Sequence, residues 1–280
     1  DTVRAPSPNC YRHPEGITRE AHEAALADQV IALIEAHADT LAAVILEPGM
    51  QGAGGILPLP AGFLARVREV TRRHDVFLIL DEVAVGIGRS GRMFACEHEQ
   101  VTPDFLCIAK MLTNGTLPLA ATLTTSRVFE GFLAPPEQGS TFFHGHTFTG
   151  NALGAAAALA TLEVIEQERV LEHLQETIPH LHAQVERLAA HPNVGDIRCY
   201  GLCAGIELVA DRRTKTAFPP HTRHAYAICR HARDRGVFLR PLGDVLVLMP
   251  PLTVSRAAIT QLVDALIYGL HRQLGEGVSA

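Results

Sequence analysis

The stretches Val76–Val83 (VFLILDEV) and Phe105–Lys110 (FLCIAK) decide the fold, because each is a short apolar run that leads into a charged side chain. Such runs are typical of strands buried in a parallel sheet. Helical patterns alternate with them along the chain, which predicts an α/β fold with a mainly parallel sheet. In these sheets ligands bind beyond the carboxyl ends of the strands. Asp81 and Lys110 lie at such ends, 29 positions apart.

An acid and an amine at neighbouring strand ends suit a cofactor that needs both groups, pyridoxal phosphate (PLP). A lysine forms an imine with its aldehyde and must be neutral to attack, while a carboxylate keeps the pyridine nitrogen protonated so that the ring accepts electrons. We therefore predict that Lys110 and Asp81 are buried in one crevice, where desolvation favours the neutral amine. The alternatives are a solvated surface lysine and an ordinary hydrogen-bonded acid. Glu82 faces the opposite way along the strand and is predicted to be structural.

The composition is that of an ordinary globular protein. Of 280 residues, 47% are hydrophobic and 19% are charged, with a net charge of −6, and a chain of this length is expected to form two lobes. No basic stripe indicates nucleic acid, and the Ala-rich run 151–162 is too short to span a membrane. Six scattered cysteines are predicted to be reduced core residues of a cytoplasmic protein, without the spacing of a metal site. The loop-like first residues, DTVRAPSPNCYRHPEG, suggest a fragment.

The first part of the chain alternates helices with strands. Helical patterns cover residues 17–38 and 61–74. The further apolar runs 41–48 and 119–126 predict strands, and the first of them is expected to be buried on both faces. This part is therefore predicted to form the α/β lobe.

The second part is predicted to form an α+β lobe. A helical pattern covers residues 152–188 and is expected to break at Pro179, because proline disrupts the interior of a helix. Helical patterns at 221–235 and 256–274 accompany four short apolar runs that predict strands. These runs are VGDIRCYG, LCAGIELV, GVFLRPLG and DVLVLMPP.

Two further segments carry candidate ligand contacts. The turn HGHTFTGN places hydroxyl and amide donors before a predicted helix, and helix N-termini bind phosphate, so Thr147 is the predicted phosphate contact. Its His144 and His146 have metal-ligand spacing but no third ligand nearby. Arg240 ends a predicted strand and is either a surface arginine or a two-bond clamp for a carboxylate. Glu47, at the end of another strand, is either a supporting acid or a strand-end charge.

Seven motifs together closely resemble those of the class III (subgroup II) PLP-dependent aminotransferases, and the resemblance runs through essentially all 280 residues. The motifs are EPGMQGAGG, ILDEVAVGIGRSGRMFACEHE, PDFLCIAK, LPLAATLTTS, FFHGHTFTGN, RPLGDVLVLMPP and the early YRHP. The resemblance implies fold type I of the PLP-dependent transferases, an α/β fold with a mainly parallel sheet. It implies that residues 1–165 are the C-terminal part of the large PLP-binding domain and that residues 166–280 form a small α+β domain.

The resemblance implies an amino-group transfer carried by two residues. Lys110 would form the imine with PLP and move a proton between substrate and cofactor, while Asp81 would hold the pyridine nitrogen. The implied reaction, in biotin biosynthesis, converts 8-amino-7-oxononanoate to 7,8-diaminononanoate, with S-adenosylmethionine or lysine as the amino donor. The alternatives are another class III ω-amino-acid or diamine transaminase and a truncated homologue without catalysis.

Four other residues take ligand-binding roles from the resemblance. His146 and Thr147 would contact the cofactor, and Thr147 would reach the phosphate of the partner subunit's cofactor, which makes the active unit a homodimer. Gly145 and Arg240 would contact the substrate, with Arg240 on its carboxylate.

Several positions depart from relatives of this family. Ala84 replaces a glutamine usual in ornithine- and GABA-type enzymes, and Val247 an arginine of the ornithine type, which argues against those substrates. Met111 replaces a small residue beside the lysine and is expected to crowd the cofactor, whereas Asn114, in place of glycine, tolerates left-handed geometry. Full-length relatives carry a Gly-Ser phosphate cradle and a ring-stacking aromatic with no counterpart in this sequence. We therefore expect the isolated chain to bind PLP poorly, to have little or no activity, and to expose an unpaired sheet edge.

Overall fold

A mixed sheet organises the first lobe and an antiparallel sheet the second, in a computed structural model that describes residues 2–276. The strands of the first lobe are β1 (Ala43–Leu46), β2 (Met50–Gln51), β3 (Leu57–Pro58), β4 (Phe77–Asp81), β5 (Phe105–Ile108) and β6 (Ala121–Thr124). Those of the second are β7 (Val194–Tyr200), β8 (Cys203–Leu208) and β9 (Val245–Leu248). The helices are α1 (Arg19–Ala36), α2 (Phe63–Arg73), α3 (Ser126–Glu130), α4 (Ala152–Gln167), α5 (Val170–Val185), α6 (His224–Ala232) and α7 (Arg256–Leu274).

The first sheet has the strand order β1-β4-β5-β6. Strands β1, β4 and β5 are parallel and β6 is antiparallel to β5, which confirms the predicted mainly parallel sheet. Alternate side chains of β4 point to opposite faces. Leu78 and Leu80 are buried in one apolar cluster with Val67 and Val70 of α2, while Asp81 lies on the opposite, half-buried face. This alternation leaves the acid free of the apolar core.

The second lobe is built around β8, the central strand of the order β7-β8-β9, which is antiparallel to both neighbours. All six residues of β8 are buried. Helix α5 packs on β8, α6 packs on β9, and α7 packs against both helices. The α+β lobe and three of its four predicted strands are therefore confirmed. Within residues 2–276, no helix has the length and apolar character needed to cross a membrane.

Two expectations about the sheet edges have opposite outcomes, one at β1 and one at β6. Strand β1 ends the first sheet, and its Ile45 is 66% exposed rather than buried on both faces. Strand β6 ends the sheet on the other side, and all four of its residues are exposed. The prediction of an exposed sheet edge is confirmed, and the prediction that β1 is covered on both faces is wrong.

Two predicted elements of the second lobe are wrong. The run GVFLRPLG forms no strand: apart from a single bridge between Leu242 and Val245 it pairs with no strand, which leaves β9 at the edge of the sheet. The helical pattern breaks at Arg169, where φ is +51°, and Pro179 lies inside α5. The buried α5 residue Leu181 shows why the helix continues: tertiary packing outweighs the one hydrogen bond that proline removes.

A buried arginine joins the β2–β3 hairpin to the second sheet. Arg198 donates to the carbonyl oxygens of Gly55 and Ile56 at 2.9 and 3.1 Å and to the carboxylate of Glu207. Glu207 also accepts a hydrogen bond from Arg12. Because the buried charges are paired and hydrogen-bonded, the cost of removing them from water is offset, and the hairpin is held against the second sheet.

The packing of α5 gives a stability prediction. Leu181→Ala removes a fully buried side chain and should lower the free energy of unfolding by about 2–5 kcal/mol, through lost burial and the cavity left behind. Leu153→Ala, at a site in α4 that is 70% exposed, is the matched control and should change it by less than about 0.5 kcal/mol. Chemical denaturation measures both variants, and equal losses would contradict the described core.

Candidate active site

The structure brings Asp81 and Lys110 to the same end of two adjacent parallel strands. Asp81 is the last residue of β4, and its Cα partner in β5 is Cys107. The pairing continues for one residue beyond the strand, because the backbone N–H of Glu82 donates to the carbonyl of Cys107 at 2.9 Å. Lys110 begins a 3-10 turn directly after β5. Asp81 and Lys110 therefore follow two adjacent strands at the same end of the sheet, as the sequence predicts, and their roles at a cofactor stay predictions.

Asp81 has one carboxylate oxygen fixed and one available. The backbone N–H of Val83 donates to Oδ1 at 3.0 Å, which orients the carboxylate. Among residues 2–276, Oδ2 accepts no hydrogen bond and Asp81 forms no ion pair. The side chain is half-buried. The second oxygen can therefore accept a hydrogen bond from the protonated nitrogen of a bound ring.

Lys110 is exposed, so the prediction that its amine is buried is wrong for this chain. Ala109, with φ −154° and ψ −96°, turns the backbone out of the sheet. The 3-10 turn that follows buries Leu112 and leaves Lys110 at the surface. No hydrogen bond or ion pair from the described part of the chain reaches its amine. The lysine is therefore a free amine at the same end of the sheet as the partly free carboxylate of Asp81.

These 280 residues contain two lysines, and the second is engaged. Lys215 donates through Nζ to the carbonyl of Tyr11 at 2.8 Å and lies 3.2 Å from Nε2 of His13. Its Nζ also lies 5.3 Å from the centre of the Tyr11 ring. These contacts hold the amine of Lys215 to the N-terminal segment. Of the two lysines, Lys110 is therefore the one placed to react with an aldehyde.

The two departures next to Lys110 have different outcomes. Asn114 has φ +51° and is followed by Gly115 with φ +76°, so the prediction that asparagine tolerates left-handed geometry here is confirmed. Met111 packs against the main apolar core, and its sulfur lies 3.8 Å from Nη2 of Arg89. The expectation that Met111 crowds the cofactor stays a prediction.

The turn with Gly145, His146 and Thr147 is exposed. It is closed by hydrogen bonds of its own: the N–H of His146 donates to Oγ1 of Thr149 at 2.8 Å, and that of Phe148 to Nδ1 of His146 at 3.1 Å. Helix α4 begins only at Ala152. Thr147 therefore lies in the turn that leads into α4, five residues before its first residue, and its phosphate contact stays a prediction.

Arg240 and the exposed turn are not hydrogen-bonded to the lysine or the acid. Among residues 2–276, no hydrogen bond links Arg240, Thr147 or His146 to Lys110 or Asp81. Arg240 is exposed in the irregular stretch before β9. Helix α4 does pack against the 3-10 turn of Lys110, so the end of the exposed turn leads toward the site. The ligand-binding roles of Gly145, His146, Thr147 and Arg240 stay predictions.

Two charged side chains in the segment after Asp81 are buried. Glu82 is buried and accepts from the N–H groups of Ala95 and Cys96 at 2.6 and 2.9 Å, which confirms its predicted structural role. Arg89 was not singled out by sequence reasoning, although a charged residue within the glycine-rich GIGRSG was the available signal. Its side chain is buried, and burial lowers its pKa.

Comparison with known proteins identifies the family. A family model described as aminotransferase class-III matches residues 3–270. The chain belongs to the class III aminotransferases. It is 51% identical over 263 residues to the adenosylmethionine-8-amino-7-oxononanoate aminotransferase of Nitratidesulfovibrio vulgaris, an alignment that covers 94% of this chain and 48% of that protein.

Solved structures of class III relatives share the fold. The adenosylmethionine-8-amino-7-oxononanoate aminotransferase of Methanocaldococcus jannaschii matches with 41% identity and a TM-score of 0.87, over 89% of this chain and 58% of that one. An (S)-enantioselective ω-transaminase from Thermomicrobium roseum matches with 34% identity and a TM-score of 0.87, over 96% of this chain and 59% of that one. The predicted family and fold type I are confirmed. The chain spans about half to three fifths of the length of these relatives.

The burial of Glu82 gives a pH prediction. Burial raises the pKa of Glu82 above its ordinary value of 4.5, against the two backbone donors. Because the folded state then holds the proton more tightly than the unfolded state, the contribution of Glu82 to the free energy of unfolding falls as pH rises from about 4.5 through the folded-state pKa. Glu82→Gln should remove this dependence, and it should cost about 1–3 kcal/mol because one backbone donor loses its acceptor.

Denaturant unfolding of the wild type and the variant between pH 4 and 8 measures the effect. The cost of Glu82→Gln should be largest at the acidic end and shrink as pH rises. Glu163→Gln, on an exposed side chain of α4, is the control. A cost that grows with pH would contradict the assignment.

Proposed function

We propose that this chain is the lysine-bearing part of a PLP-dependent aminotransferase that transfers an amino group to 8-amino-7-oxononanoate. The observation that carries the proposal is the free amine of Lys110 after β5, at the same end of the sheet as the half-free carboxylate of Asp81, which ends the adjacent β4. The chain is a class III aminotransferase by family, and relatives at 51% and 46% identity bear the name of this enzyme.

Lys110 supplies the nucleophile and the mobile proton. When bound, PLP supplies an aldehyde and a ring that accepts electrons. The neutral amine of Lys110 would attach the cofactor through Nζ, and once released by the amino donor it would move the proton at the reacting carbon of the substrate. Its lack of other partners supports this role, because no hydrogen bond to a described residue has to break first.

Asp81 would keep the nitrogen of the cofactor ring protonated. Oδ1 is held by the N–H of Val83, so Oδ2 would accept the hydrogen bond of the ring nitrogen without reorganising. A charge-assisted hydrogen bond of this kind keeps the nitrogen protonated. The register of β4 with β5 sets the spacing between this carboxylate and Lys110.

The remaining contacts would lie on surfaces that other parts of the assembly cover. Thr147 would reach the phosphate of the partner subunit's cofactor in a homodimer, with His146 beside the cofactor. Gly145 and Arg240 would contact the substrate, with Arg240 on its carboxylate. The exposure of all four residues supports this assignment, since a residue that completes a neighbouring site must lie on the surface of its own chain.

The names of the relatives support the amino acceptor, and the amino donor is proposed to be S-adenosylmethionine or lysine. Ala84 and Val247, where the ornithine-type pattern has glutamine and arginine, argue against ornithine. The similarity to the T. roseum ω-transaminase favours the second candidate, a class III enzyme for other ω-amines. A donor screen with pyruvate and with 8-amino-7-oxononanoate as acceptors separates the two.

All six cysteines are free thiols in the structure, which supports a reducing compartment, proposed to be the cytoplasm.

Covalent trapping tests the proposal. PLP added to the full gene product and fixed with borohydride should attach at Lys110. Lys110→Ala should lose this attachment and lower turnover of 8-amino-7-oxononanoate at least about a hundredfold. Lys215→Ala, the other lysine of this chain, is the control and should keep both. The proposal fails if mass mapping finds PLP on Lys215 or on no lysine of this chain. We expect the isolated 280-residue chain to attach far less than one PLP.

The carboxylate clamp has its own test. Arg240→Lys keeps the charge but loses the two-bond geometry, so it should raise KM for 8-amino-7-oxononanoate about tenfold and change kcat little. Arg233→Lys is the control, because Arg233 is exposed nearby and stacks on Phe238. KM and kcat both within about twofold of the wild type would show that Arg240 does not clamp this substrate.

A further inference from the structure

Arg89 is a buried cation without a carboxylate partner among residues 2–276. It is 5% exposed, and it forms no ion pair with the described acids. Its Nη1 donates to the carbonyl oxygens of Leu202 and Pro250 at 3.2 and 2.6 Å, and its Nε has no partner in the described chain. Burying a charge on carbonyl dipoles alone is costly. The burial of the Arg89 guanidinium therefore needs an explanation other than packing.

The carbonyl contacts tie Arg89 to the second lobe. Leu202 lies in the turn between β7 and β8, and Pro250 follows β9. The backbone adds a reciprocal contact, because the N–H of Leu202 donates to the carbonyl of Arg89 at 2.9 Å. Gly201 has φ +50°, and a Cβ there would lie 2.3 Å from the same carbonyl oxygen. The backbone of Arg89 is therefore held directly against the β7–β8 turn.

The other side of the guanidinium faces the turn of Lys110. Nη2 of Arg89 lies 3.8 Å from the sulfur of Met111, the residue directly after Lys110. A thioether sulfur is a weak acceptor on an adaptable side chain, so Met111 gives this donor a partner that a small residue could not. One side chain thus touches both the second lobe and the neighbour of the lysine.

We propose that Arg89, acting through Met111, is a positioning residue that holds the turn of Lys110 in a set orientation to the second lobe. The inference rests on the proposed function of Lys110. Lys110 makes no bond of its own to the described residues, so its direction depends on the backbone of the Lys110–Leu112 turn. That turn is fixed by the buried Leu112 on one side and by Met111 against Arg89 on the other. Misplacing a reacting group by about 1 Å can lower a rate about a hundredfold, so a smaller shift is expected to lower it severalfold.

The test compares Met111→Leu, Arg89→Lys and the double variant in the full gene product. Leucine matches the volume of methionine but lacks the sulfur, and lysine keeps the charge but cannot reach all three contacts. Arg92→Lys is the control, because Arg92 is an exposed arginine of the same loop that donates to the carbonyl of Glu97. The first readout is the rate at which PLP attaches to Lys110, fixed with borohydride and measured by mass.

Met111→Leu and Arg89→Lys should each slow attachment about three- to tenfold, and the double variant should be no slower than the slower single one, because both break one link. Arg92→Lys should stay within about twofold. The second readout needs no cofactor: the ratio of acylation at Lys110 to that at Lys215 in the apoprotein should shift in the same variants. A general loss of stability would affect both lysines together.

Attachment rates and acylation ratios within about twofold of the wild type in Met111→Leu would overturn the proposal, as would single effects that multiply in the double variant. If PLP attaches to no lysine of this chain, the proposed function fails, and the acylation ratio still decides whether the link positions Lys110. If Arg89→Lys does not fold, Met111→Leu compared with Arg92→Lys decides alone.

Discussion

The parallel pairing of β4 with β5 is the constraint on which the candidate site depends. Its register sets Asp81 opposite Cys107, and a slip of one residue would turn every side chain of a strand to the other face. The register is held from the apolar side, where Leu80 of β4 and Leu106 of β5 are paired and buried. Hydrophobic packing on one face of the sheet thus places a carboxylate on the other face, beside the exit of Lys110.

The same pleat gives two consecutive acids opposite environments. Asp81 lies on the half-buried face with one oxygen free, whereas Glu82 is buried and accepts two backbone N–H groups of the turn at Ala95 and Cys96. A carboxylate that accepts two backbone hydrogen bonds has a structural role, and burial raises its pKa. Its oxygens are not available to a ligand. The division of roles between the two acids follows from strand geometry and needs no difference in residue type.

The sequence predicted the features that depend on local pattern. Strand ends, amphipathic α2 and the helix 256–274 follow from periodicity, and they are present. The failures involve tertiary partners that no local pattern encodes. Pro179 is kept inside α5 by packing, and GVFLRPLG stays outside the second sheet. Whether Lys110 is buried depends on what covers the strand ends. The hydrogen bonds of Arg89 go to carbonyl groups more than a hundred positions away, which the local sequence does not indicate.

The exposure of Lys110 and of the turn Gly145–Thr147 has a common explanation under the proposed homodimer. The turn lies among the exposed aromatic side chains Phe142, Phe143 and Phe148, and clustered exposed apolar groups mark protein contacts. A contact that covered them would bring Thr147 to the partner's phosphate, so association and completion of the cofactor site would be one event. The low-dielectric surroundings that a neutral lysine needs would then come from the cofactor and the neighbouring chain, because both lobes of this chain together leave Lys110 exposed.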